Sequence, residues 1–285
     1  EVGSGEPVGL SSLFKRGDID GNVYQSFIDL ITSLKTSPHI LSNQRLPESI
    51  HQIWSLMGRI SLAPDRPPDL RFLQTLTEGS GLLWENKLMK ALLFAGLTGR
   101  NQAQALLKQD LKGLALGALK DEGIKGVISS ESITRFIDSL EQFQLANSVG
   151  LEEKGKLLLV IPMQWDDVFK FAQLLIGLPR DDQEANSKDE KALTLSLFLD
   201  MSHLGPIRVD CSVVDRAIRI SFLVCSEKIQ VFLNSLKSDL ENQLERHGFS
   251  VRQITCRFEK QHILEKTSFV DALVDYEEHR VSVMI

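Results

Sequence analysis

The chain has 285 residues, 42% hydrophobic and 25% charged, with a formal net charge of -6. That is long enough for about two domains of ordinary size and apolar enough for a sizeable core. An acidic chain is not built to neutralise phosphates or to dock on an anionic membrane, and no apolar run approaches the ~18 residues of a membrane span.

Residues 1–19 begin Gly/Ser/Pro-rich, lack sustained periodicity, and read as a flexible tail. Residues 20–150 read as a helical region. Val23, Phe27, Leu30, Ile31 and Leu34 fall on one helical face, closed by Pro38. Pro47 suits the first turn of a second helix, with Ile50, Ile53, Trp54, Met57 and Ile60 on its apolar side. Pro64, Pro67 and Pro68 break the chain again. Leu70, Leu73 and Leu76 belong to a short helix, and Gly79-Ser80-Gly81 separates it from a helix over about 82–95. A helix at about 100–120 carries Ala103, Leu106, Leu107, Leu111, Leu114 and Ala118 on one side. The last, about 131–146, runs through Ile133, Phe136, Ile137, Leu140 and Phe143, capped by Ser129 or Ser130.

Near residue 150 the period changes, and residues 151–285 read as an α+β domain. Leu157–Ile161 is a buried strand that Pro162 is expected to end. Phe169–Leu178 fits a helix or a strand, and a strand is expected because the following elements need an antiparallel partner; the polar residues 180–191 fit a solvated loop. Leu193, Leu195, Leu197, Leu199 and Met201 alternate with Thr194, Ser196, Phe198 and Asp200, the period of a strand. His203-Leu204-Gly205-Pro206 turns the chain, with Gly205 expected in a conformation that a side chain would strain. Ile207, Val209, Cys211 and Val213 form the next inward face. Val214-Asp215-Arg216 makes a tight connection to the strand of Ile218, Ile220, Phe222 and Val224. Ser226 then caps one long helix whose core face is Ile229, Phe232, Leu233, Leu236 and Leu240, ended by Gly248. Truncating a buried Leu236 would cost about 2–5 kcal/mol. Phe249–Phe258 is a strand whose parity slips between Val251 and Ile254, the mark of a bulge. A short strand-like end follows at Val281–Ile285. The expected architecture is thus an all-α helical region followed by a mainly antiparallel sheet with one long packed helix.

Asp18-Ile19-Asp20-Gly21-Asn22 resembles the start of a calcium loop, but Val23 and Asp29 stand where that loop needs Gly and Glu, so a polar turn is expected. The six histidines, His39, His51, His203, His247, His262 and His279, show no ligand spacing, and no metal is expected. Gly79-Ser80-Gly81 lacks the lysine and the preceding strand of a phosphate loop. Cys211, Cys225 and Cys256 are odd in number, with no CxxC pair, and read as reduced thiols; Cys211 shares the inward parity of its strand. Asp166-Asp167 are adjacent, so their carboxylates point apart. No catalytic, metal or cofactor residue is expected, and the chain reads as non-enzymatic. The open alternatives are a general adaptor or assembly scaffold, and a hydrolase or transferase with an unrecognised site in a deep polar pocket.

Residues 193–258 resemble the C-terminal domain of flagellar hook-length control proteins. The pattern is Leu-x-Leu-x-Pro-x-x-Leu-Gly, then x-Val-x-Val, followed by a strand, a helix opening near Ser, and a last strand. Leu197, Leu199, Leu204, Gly205 and Val209 occupy the matching places, and Met201 stands where many members carry Pro. Ser221–Leu244 matches the strand-and-helix half. Ser80–Leu88 and Asp110–Leu116 are similar to a segment upstream in related proteins. The resemblance implies a switch of flagellar type III export, acting by protein binding without a cofactor. Its implied partner is the cytoplasmic domain of the export-gate switch protein, with hook or hook-cap subunits met through segments outside this chain. Neither nucleic acid nor membrane insertion is implied. The implied location is the bacterial cytoplasm, with export through the flagellar apparatus. A chain that starts at Glu1 and not Met is expected to be a fragment or a processed form.

Overall fold

The computed structural model describes residues 47–260 except 66–67, 70, 99–104, 106, 125–127, 166–167, 180–191 and 202, together with Phe269 and Leu273. The expected tail, the helix of Val23 to Leu34, the Asp18–Asn22 turn with Asp29, Asp166-Asp167, the loop 180–191 and the end strand at 281–285 lie outside the described residues. The chain is α+β. Its helices are α1 (Glu48–Ile60), α2 (Phe72–Gly79), α3 (Trp84–Thr98), α4 (Leu111–Leu119), α5 (Ser130–Lys154), α6 (Glu227–Ser235) and α7 (Lys237–Arg246). Its strands are β1 (Lys156–Trp165), β2 (Val168–Gly177), β3 (Leu193–Met201), β4 (Gly205–Val214), β5 (Ala217–Val224) and β6 (Ser250–Phe258). They form one sheet in the order β1-β2-β3-β4-β5-β6.

Two compact units emerge. The helical one holds the described residues up to Leu145 with Ile161–Lys170; the other holds Ala146–Val160 and the described residues from Phe171 onwards.

In the helical unit, α1 packs on α2 and α4. Ile50, Ile53, Leu56, Met57 and Ile60 are buried, so the i, i+3, i+7 spacing of α1 does what its sequence implies. The helix expected at 100–120 is broken, because Asp110 caps a new start: its carboxylate accepts the Lys112 N–H, and α4 begins at Leu111. Ala103 and Leu106 lie outside the described residues. Ser129 is the cap of α5, its hydroxyl accepting from the Ser132 N–H at 3.0 Å. That helix runs to Lys154, beyond the expected 146, and stops at Gly155, whose φ of +62° a glycine tolerates.

Pro162 does not end β1. Its carbonyl accepts from the Leu62 N–H, and Gln164 N–H donates to the Leu62 carbonyl, both at 2.8 Å. A residue's N and C=O lie on the same side of a strand, so the missing proline N–H falls on the side of Leu62 and costs no bond to β2.

In the other unit, β2, β3, β4 and β5 pair antiparallel in sequence order. Asp215 and Arg216, at φ 47° and 65°, form the two-residue turn between β4 and β5, a type I′ geometry that suits sheet twist. The β5–β6 pair is parallel, so α6 and α7 form a crossover. The register skips Arg252 between Ile218↔Val251 and Arg219↔Gln253, the bulge that the parity slip foretells. Gly248, at φ +83°, closes α7: its N–H donates to the Glu245 carbonyl and Phe249 N–H to that of Leu244.

Candidate protein-binding site

Leu197, Leu199, Leu204, Gly205 and Val209 all lie on the β3–β4 hairpin. Leu197 lies opposite Val209, and Leu199 opposite Ile207. Leu204 and Val209 pack on a core of Ile207, Val224 and Cys256. Gly205, paired with Met201, has φ +68°, and a Cβ built there would sit 3.0 Å from the Cys225 sulfur. The turn thus needs a glycine both for its backbone and for room.

The expectation of one long helix with five core residues requires correction. Ile229 and Leu233 do pack on the core, but Phe232 is 49% exposed and Leu236 is 42% exposed. Leu240 is half-buried. Beyond Ser235 the cause is a break at Leu236: its N–H bonds the Leu233 carbonyl, a tighter i→i+3 step, and α7 restarts at Lys237. Apolar positions that share a face on an unbroken helix therefore diverge. Ser226 stands at the cap position of α6, but its hydroxyl makes no capping bond.

The orientation of α6 follows from one contact. Gln230 donates from Nε2 to the Cys256 carbonyl on β6 at 2.9 Å. Phe232 lies on the other flank, about 60° back from Ile229 at 3.6 residues per turn. The sheet face of β3 and β4 is apolar and only half-covered: Leu195, Leu197 and Leu199 of β3 stand opposite Cys211, Val209 and Ile207 of β4, and no residue of β3 is buried. Val231, 68% exposed, adds apolar surface to the helix. Helical spacing alone misses this surface because it places Phe232 and Leu236 on the core face; the angular offset of Phe232 from Ile229 is the available signal.

Reactive chemistry is sparse. Burial pushes the thiols of Cys211 and Cys256 up, Lys237 opposing it weakly at Cys256, which works against a thiolate nucleophile. All three cysteines are free. Among the described residues no group of three His, Cys, Asp or Glu side chains could hold a metal. The helical unit contains a cavity of about 540 Å³ whose lining includes Arg59, Glu78, Lys87, Lys90 and Gln109. Its Lys87 is already engaged, donating to the Glu78 carbonyl and pairing with Asp110 at 3.1 Å. Asp110 is fully buried; that burial raises its pKa, and Lys87 only partly offsets the rise. Lys112, nearly buried, pairs with Glu85 and Glu141. These charges tie α3, α4 and α5 together and are used up by one another.

No family model, curated protein or solved structure matches the chain.

Proposed function

We propose that this chain is a non-enzymatic, protein-binding component of a flagellar type III export switch, of the hook-length control kind. It acts in the bacterial cytoplasm, or on export from it, by engaging the cytoplasmic domain of the export-gate switch protein. One observation carries the reading. The pattern residues Leu197, Leu199, Leu204, Gly205 and Val209 build a hairpin with a half-buried apolar face, and α6, whose Ile229 and Leu233 pack on the same core, carries the exposed Phe232. Apolar surface rimmed by polar residues is what a protein partner buries.

The test is electron microscopy of hooks. A strain carrying Gly205→Val, with protein abundance followed by immunoblot, is expected to make overlong hooks with few or no filaments. Phe232→Glu, at an exposed site, should leave the melting temperature unchanged and abolish pull-down by the export-gate domain. Normal hooks after deletion of the whole gene would end the flagellar reading.

A further inference from the structure

The two outer edges of the sheet are treated differently. On β1, Leu62 occupies the ladder groups of Pro162 and Gln164. On β6, which pairs only with β5, the outer ladder meets no backbone partner among the described residues. Glu259 N–H donates to the Val224 carbonyl, which fixes the alternation: Gln253, Thr255 and Arg257 face β5, while Ile254, Cys256 and Phe258 turn their N–H and C=O groups outward. Among the described residues, the Gln230 side chain bonds one of these outward groups, the Cys256 carbonyl. Phe258 is 46% exposed.

The open edge is basic in an acidic chain. Arg252, Arg257 and Lys260 are all exposed, against one acid, Glu259. Basic edges discourage pairing with a second copy, because strand-on-strand contact would set arginine against arginine. The same charges favour an acidic strand, which would gain both the ladder bonds and the ionic match.

We propose that the outer edge of β6 accepts an acidic, extended segment of a partner protein as a seventh strand. The proposal rests on the protein-binding reading above only in taking a protein as the occupant. Gln230 holds the Cys256 carbonyl until the incoming strand's N–H replaces it.

The experiment uses the full chain and a blocked peptide of alternating Glu and Val as long as β6, with a Lys-Val peptide as control. Fluorescence anisotropy should show binding of the acidic peptide only, weakened by added salt. Arg252→Glu with Arg257→Glu should weaken it by about tenfold or more; Arg252→Gln with Arg257→Gln serves if the reversed pair fails to fold. Gln230→Ala should tighten it. Amide exchange should slow at Ile254, Cys256 and Phe258. Absence of binding, equal binding of both peptides, protection elsewhere, or self-association of the chain through β6 would overturn the proposal. That failure would leave the hook phenotype standing, and normal hooks in the deletion strain would leave this edge standing.

Discussion

In the helical unit, Ile50, Met57, Ile60, Leu76, Ile133 and Phe136 are each 1% exposed, and even Asp110 and Lys112 are buried with partners. In the other unit no residue of β3 is buried, and neither α6 nor α7 contributes a buried residue. Both stretches have periodic apolar patterns. Helices can surround a core on all sides, whereas a sheet presents two broad faces that only a further layer can cover. Here two short helices lie over β5 and β6, and the apolar face of β3 and β4 is left half-open. Apolar periodicity therefore marks a face that prefers cover; whether the chain itself supplies that cover is a separate matter.

Three measurements would break or sharpen the contrast. The largest effect is expected at Phe136→Ala, which should cost the helical unit about 3–5 kcal/mol in urea denaturation, the usual range for a buried aromatic. A loss below about 1 kcal/mol would show that this core is loosely packed and end the contrast. Next, Leu236→Ala should stay within about 0.5 kcal/mol of the parent, as at other surface sites. A loss of 2 kcal/mol or more, on the scale of a buried leucine, would put Leu236 back in a core. The smallest effect is a change with pH. Because the folded pKa of Asp110 is raised by burial, its contribution is most favourable below the ordinary value of 3.8 and is lost as pH rises through the raised one. Relative to Asp110→Asn, the parent should therefore lose stability over that rise in denaturation curves taken at a series of pH values. A difference that does not vary with pH would mean that Lys87 compensates the burial fully.

Much of the sheet was legible because its signals are local. The alternation of Leu193 to Met201 sets β3, the glycine at 248 closes α7, and the slip after Val251 marks the bulge at Arg252. What escaped depends on partners distant in sequence or on competing short-range bonds. Pro162 stays within β1 because Leu62 is the residue beside it. Asp110 ends one helical pattern by capping the next. At the candidate site, the pattern residues Leu197 to Val209 were read to the right hairpin. The exposure of Phe232 is legible only in its angular offset from Ile229, and that of Leu236 is not legible at all, because the break there is a backbone choice that no apolar spacing reveals.

The crossover before β6 also has a kinetic consequence. The β4–β5 hairpin closes through Asp215 and Arg216 alone, and such hairpins form in about 1–10 μs. β6 must wait until α6 and α7 have spanned the sheet, since its pairing closes a far longer loop. During synthesis the antiparallel strands therefore leave the ribosome able to pair at once, while the outer flank of β5 stays open until β6 arrives. In that interval Ile218, Ile220 and Val224, all buried in the finished protein, lack their final neighbour. The nascent chain is then most open to strand exchange with another copy, and slow translation after Val224 would lengthen that interval.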